Sequence, residues 1–168
     1  MNPYEVYRLG IKKFEVHKPH YSETNVYELK ACRDGEFYSQ EPGYDILHIN
    51  NWMASFVIGM APLIYRTEKK SEYIDFANRF KDVYAKKVFD FPMNTMHDIG
   101  FLYSPFSVAM YQLTGDEEHK KTALRAADIL IGRFREKGRF LEAWGKMGTP
   151  DAEGRAIVDS MINIQLLL

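Results

Sequence analysis

Asp159 is the residue whose setting most calls for a chemical explanation. It lies in Ala156-Ile-Val-Asp-Ser-Met-Ile-Asn-Ile-Gln-Leu-Leu-Leu168, a run with no other charged side chain. An ionised carboxylate buried on an apolar helix is costly unless it is paired, hydrogen-bonded or protonated. Asn163, four positions on, shares a helical face with it, and Ser160 and Gln165 lie nearby, so the face could open into a polar cavity. A structural role, with backbone amides or an arginine satisfying the carboxylate, fits the same spacing equally well. Asp98 follows His97 in Met96-His-Asp-Ile-Gly-Phe-Leu-Tyr103. By spacing alone it is better read as a helix N-cap. In a two-layer helical fold, however, the inner helices begin at one end of a common cavity, which would bring Asp98 toward Asp159. Two carboxylates sharing a partly dry site push their pKa values apart, leaving an acid and an anion.

Two tryptophans fall at the same end. Trp52 opens Trp52-Met-Ala-Ser-Phe56, and Trp144 sits in Arg139-Phe-Leu-Glu-Ala-Trp-Gly145. Their faces could stack on a sugar ring, although a tryptophan is more often core. His97 could hydrogen-bond a substrate carboxylate or its acidic neighbour, and Glu142 is a further acid, solvated or paired. His17 and His20 flank Pro19 with no second ligand pair, so no metal or other cofactor is expected.

The elements that must position these residues show in the placement of charge. Trp52 to Tyr65 and Ile99 to Gly115 carry no charged side chain. Ser71 to Lys87 and Glu117 to Arg135 are heavily charged but carry apolar stripes at helical spacing: Tyr73, Phe76, Phe80, Tyr84, and then Leu124, Ala127, Ile131, Phe134. A charge-free helix must be surrounded by protein, whereas an amphipathic one covers it, so the alternation predicts two concentric helical layers. Gly115 is placed to stop the second inner helix, and Asp116, Glu117 and Glu118 suit the positive end of the next. Tyr65-Arg-Thr-Glu-Lys-Lys-Ser-Glu takes the matching place about 47 residues earlier, a helical-hairpin period. Ser104-Pro105 could begin a separate helix, and Pro62 raises the same question. Met1 to Glu15 reads as a further amphipathic helix, and Lys18 to His48 as loop with a short hairpin.

The composition excludes several classes. With 22 Lys and Arg against 23 Asp and Glu there is no basic surplus for a nucleic acid or an anionic membrane. No run reaches the ~18 apolar residues of a membrane span. Cys32 is the only cysteine, and the start lacks a secretory pattern, so a cytoplasmic location is expected. Residues 1–168 suit a single unit. The last run stops on three leucines without a helix-ending residue, which predicts truncation after Leu168, with the missing C-terminal part or self-association covering the open edge.

Together these residues resemble the unsaturated glucuronyl hydrolases, glycoside hydrolase family 88. The matching stretches are Trp52-Met-Ala-Ser-Phe-Val-Ile-Gly-Met60, His97-Asp-Ile-Gly-Phe101, Leu113-Thr-Gly-Asp116, Ala126-Ala-Asp-Ile-Leu130, Ala143-Trp-Gly145 and Ile157-Val-Asp-Ser-Met-Ile-Asn-Ile-Gln-Leu-Leu167. The resemblance implies an all-α (α/α)6 barrel, or toroid, of which helical-hairpin repeats here form about half, as the N-terminal part of the catalytic domain. It implies that Asp159 protonates C4 of a terminal unsaturated uronic acid and activates water toward C5. Asp98 would bind ring hydroxyls and help hold Asp159 protonated, while Trp52, His97 and Trp144 line the subsite. The partner so implied is an unsaturated uronyl oligosaccharide. Val57 replaces an aromatic usual in the family, Met53-Ala-Ser55 replaces a more polar triplet, and a later Trp-x-Arg-Gly-Gln segment is absent from these residues. Two other readings are carried forward. A toroidal sugar epimerase or lyase would rely on histidines rather than Asp159. A noncatalytic helical-repeat binding module would hold Asp98 and Asp159 apart, each paired with a basic group.

Overall fold

The structure is a computed structural model that describes residues 2–21, 32–33, 36–37, 45–149 and 154–168. Helix α1 (Pro3–His17) begins at a capping box. The Asn2 side chain accepts from the Glu5 amide at 2.9 Å, and the Glu5 carboxylate accepts from the Asn2 amide at 2.8 Å. Its Ile11 and Phe14 are buried, with the Phe14 ring edge-on to Phe76 at 5.4 Å. Most of the Lys18 to His48 region lies outside the described residues. Within it, β1 (Cys32–Arg33) pairs antiparallel with β2 (Glu36–Phe37), the short hairpin expected there.

The first inner helix is split into α2 (Ala54–Ile58) and α3 (Met60–Glu68). The junction residue, Gly59, has no room for a side chain, since a Cβ there would lie 2.8 Å from Pro105 Cβ. Lys69 then turns the chain in the left-handed region, φ 56°. The outer segment follows as α4 (Glu72–Asn78) and α5 (Lys81–Phe89). The expected stripe is its buried face: Tyr73, Phe76, Phe80 and Tyr84 are all within 4% of full burial.

The second inner helix runs from α6 (Ile99–Tyr103) through a wide π turn at Ser104–Val108 into α7 (Ala109–Thr114). Ser104-Pro105 therefore does not start a new helix. Proline has no amide hydrogen to donate, and the wider turn accommodates it in line. The Ser55 hydroxyl, from α2, donates to the Leu102 carbonyl just ahead of the turn. Gly115 ends α7 at φ 72°, and the Asp116 side chain caps α8 (Glu117–Ile131) by accepting from the Glu118 amide at 2.9 Å.

On α8 the expected stripe is on the wrong side. His119, Thr122, Ala123, Ala126, Ile129 and Leu130 are buried, whereas Leu124, Ile131 and Phe134 are exposed. Small side chains let this helix lie close to the inner layer, with the His119 ring 5.3 Å from that of Phe106. Periodicity of large apolar residues misses such a face. A hairpin the sequence did not announce follows, β3 (Phe134–Arg135) with β4 (Phe140–Leu141).

The last inner helix is shorter than expected. The segment from residue 154 to Asp159 is turns and extended chain, and α9 (Ser160–Asn163) passes into a 3-10 turn at Ile164–Leu167. The Arg155 carbonyl is taken by the Ala143 amide at 2.8 Å instead of by a helical partner. Two layers result, with α2–α3, α6–α7 and α9 inside and α4–α5 and α8 outside. Ile58, Tyr84, Tyr103, Phe106, Met110 and Leu130 are fully buried between them. Among the described residues, no helix is long and apolar enough to cross a membrane.

Candidate active site

Asp98 and Asp159 stand one residue ahead of α6 and α9, and neither side chain caps its helix. Side by side, the two inner helices bring these starts together. The Asn163 side chain joins them, accepting from the Phe101 amide at 2.8 Å and donating to the Asp159 carbonyl at 3.1 Å. Asn163 is therefore a buried tie between helices and does not open into a polar cavity with Asp159. Gly100 permits the contact, because a Cβ there would lie 2.6 Å from the Asn163 carbonyl oxygen.

His97 Nε2 lies 3.1 Å and 3.3 Å from the two carboxylate oxygens of Asp159. The bond can persist in either protonation state of the acid. An ionised Asp159 accepts from Nε2–H, while a protonated one donates to a bare Nε2. Nδ1 of His97 is buried and has no hydrogen-bond partner among the described residues. The His97 and Trp144 rings stand nearly perpendicular with centroids 6.2 Å apart, and Trp144 is 43% exposed, so the tryptophan borders the acid pair while staying partly open.

The desolvation expected at Asp159 falls on Asp98. The Asp159 side chain is one-third exposed, whereas Asp98 is buried at 6%. A carboxylate at the start of a helix and bonded to a histidine reaches solvent more easily than one within the helix. Burial pushes the Asp98 carboxyl up to about 6, against the pull of the neighbouring His97, Lys87 and Arg133 charges, and the Asp159 carboxylate pushes it further the same way. The two acids thus feel each other's charge.

Trp52 is not part of this cluster. Its ring packs on Phe56 (5.9 Å) and Phe101 (5.7 Å), which themselves meet at 5.5 Å, forming an aromatic patch beside the pair that is linked to it through Phe101. Glu142 is buried at 1% and bonded to Arg135, so it is paired and not solvated.

Two buried cations near the site were not singled out from sequence. Lys87 donates to the carbonyls of Ile46 at 2.7 Å and His48 at 2.8 Å, and burial draws its pKa down to about 8. It occupies the next position of the Tyr73, Phe76, Phe80, Tyr84 stripe, so the periodicity could have revealed it. Arg133 is fully buried beyond the end of α8 and donates to four carbonyls. Nothing in the spacing of residues distinguishes it from the other cations of that segment.

No protein-family model matches the chain. It is 37% identical over 128 residues to the unsaturated chondroitin disaccharide hydrolase of Streptococcus pneumoniae, covering 74% of this chain and 31% of that protein. To the unsaturated glucuronyl hydrolase of Bacillus sp. GL1 it is 33% identical over 160 residues, covering 95% of this chain and 38% of that one. The crystal structure of unsaturated glucuronyl hydrolase from Streptococcus agalactiae superposes with a TM-score of 0.74 at 26% identity, covering 99% of this chain and 40% of that chain. The architecture is thus that of part of a helical (α/α)6 barrel. Spanning about a third of the length of its curated relatives, the chain belongs to the unsaturated glucuronyl hydrolase family.

Proposed function

We propose that the protein to which this chain belongs releases sugars from lyase-generated oligosaccharides by hydrating the C4=C5 double bond of a terminal 4-deoxy unsaturated uronic acid. The observation that carries this reading is the Asp159–His97 pair, partly open to solvent and set against a desolvated Asp98 and a half-open Trp144. Asp159 delivers a proton to C4, and the electron deficiency that develops at C5 is shared with the ring oxygen. Water, losing its proton to the same carboxylate, adds at C5. The hemiketal so formed opens to a ketone, and the hemiacetal left at C1 collapses to free the attached sugar with its glycosidic oxygen. Because the bond breaks by hydration, carboxylate separation does not predict a stereochemical outcome.

His97 suits this cycle because its bond to Asp159 tolerates both protonation states. Asp98 holds ring hydroxyls beside the Asp159 carboxylate, whose charge it feels. Trp144 supplies an apolar face for the sugar, and Trp52 extends that surface through Phe101.

The binding-module reading requires each carboxylate to have its own basic partner. Asp159 has His97, but the cations buried near Asp98, Lys87 and Arg133, donate to carbonyls instead, and the acids are electrostatically coupled to each other. The epimerase or lyase reading needs histidine chemistry, whereas His97 is bonded to the acid. Since the chain spans only part of its relatives, it forms one side of the pocket in this proposal, and residues 1–168 alone turn over substrate poorly or not at all. In the whole protein, Asp159→Asn abolishes the loss of double-bond ultraviolet absorbance from an unsaturated disaccharide while leaving the helical circular dichroism unchanged. Wild-type rates in a folded variant would refute the assignment.

A further inference from the structure

Arg133 has an unusual environment for an arginine. It is 0% exposed, yet among the described residues its hydrogen bonds go to carbonyl oxygens and to no carboxylate. Nη2 donates to Thr95 at 2.8 Å and to Gly145, while Nη1 donates to Glu142 at 3.2 Å and to Ala143. These acceptors belong to two separate segments. Thr95 leads into His97 and Asp98, and the other three surround Trp144.

A buried guanidinium is costly unless its donors are satisfied, and with Nε–H unpartnered among the described residues the four carbonyls around Nη1 and Nη2 must be kept in place. The planar fork fixes the relative position of those carbonyls in a way a single ammonium cannot. The Ala143 peptide is gripped on both sides, its carbonyl by Arg133 and its amide by the Arg155 carbonyl at 2.8 Å, on the segment that leads to Asp159. The Glu142 amide also donates back to the Arg133 carbonyl at 2.9 Å. The Arg133 side chain thus joins the segments that carry Asp98 and Trp144, and the Ala143 amide ties the second of these to the segment that leads to Asp159.

We propose that Arg133 is a positioning residue that sets the spacing of the Trp144 turn from the His97–Asp98 corner, and hence the width of the slot that receives the sugar ring. The kinetic consequence rests on the function proposed above. The positional one does not.

The test uses Arg133→Lys, which keeps the charge but loses the fork, and Arg133→Met, which keeps the bulk. Trp52 and Trp144 are the two tryptophans, so in a Trp52→Phe background the emission reports Trp144 alone. With helical circular dichroism retained, Arg133→Lys shifts Trp144 emission to the red. In the whole protein it raises KM about tenfold, with kcat changed less than about threefold. Unchanged emission, or a fall in kcat at constant KM, would overturn the proposal. Should neither variant fold, the unaltered chain still decides the matter by nuclear magnetic resonance. A guanidinium clamped on four carbonyls shows separate, slowly exchanging Nη protons, and one averaged signal contradicts the clamp. If Asp159→Asn keeps its activity, the function fails while the emission and resonance tests of Arg133 stand.

Discussion

Asp98 and Asp159 take the same local position, one residue ahead of an inner helix, yet their surroundings are opposite. Asp98 is enclosed, with Lys87 and Arg133 buried nearby, whereas Asp159 keeps a third of its side chain open and bonds His97. The difference teaches that a charge-free sequence environment does not identify the desolvated acid. Both helices begin one residue after their aspartate, so the helix start does not decide burial; what packs against each corner does.

The largest expected effect would break the pairing of an open acid with a closed one. Asp159→Asn lowers kcat/KM of the whole protein about a thousandfold or more, the scale of a lost general acid. Asp98→Asn should be far more visible in stability. With its pKa raised to about 6 from 3.8, Asp98 binds its proton more tightly when folded, so the stability it contributes is fully present below about pH 4 and is lost as pH rises through 6. Relative to wild type, Asp98→Asn therefore gains between pH 4 and pH 7, by up to about 3 kcal/mol in urea unfolding. A difference independent of pH would mean that Asp98 is not desolvated.

Gly100→Ala sharpens the comparison by acting where the two corners meet. The new methyl would lie against Asn163, so α9 must shift, with a loss of about 1–3 kcal/mol and a lower melting temperature. If stability and Asp159-dependent turnover are both unchanged, the corners are not held by this contact. Far from either corner, Lys69→Gly relieves a left-handed residue at the end of α3 and should add about 0.5 kcal/mol while leaving turnover as it was. An effect on turnover would indicate that the two ends of the inner helix are coupled.

The layered fold was legible because the charge-free segments leave no solvated face, and the Gly115–Asp116 turn uses unambiguous capping chemistry. The buried face of α8 was not, since its first three turns present His119, Thr122, Ala123 and Ala126, and large apolar residues join it only at Ile129 and Leu130. At the site, the cluster of Asp98, His97, Asp159 and Trp144 could be anticipated from helix starts and family resemblance. Trp52 stands apart from it because the α2–α3 helix packs its ring on Phe56 and Phe101. Arg133 stayed hidden because what marks it is four backbone carbonyls from distant segments, which no side-chain pattern records.

The contrast between the two acids is open to direct measurement in the chain itself. Titration of the aspartate side-chain carboxyl carbons by nuclear magnetic resonance, assigned with Asp98→Asn, should show the Asp98 resonance moving with a midpoint at about 6. A midpoint at the ordinary value near 4 would contradict the buried, desolvated acid on which this account of the site depends.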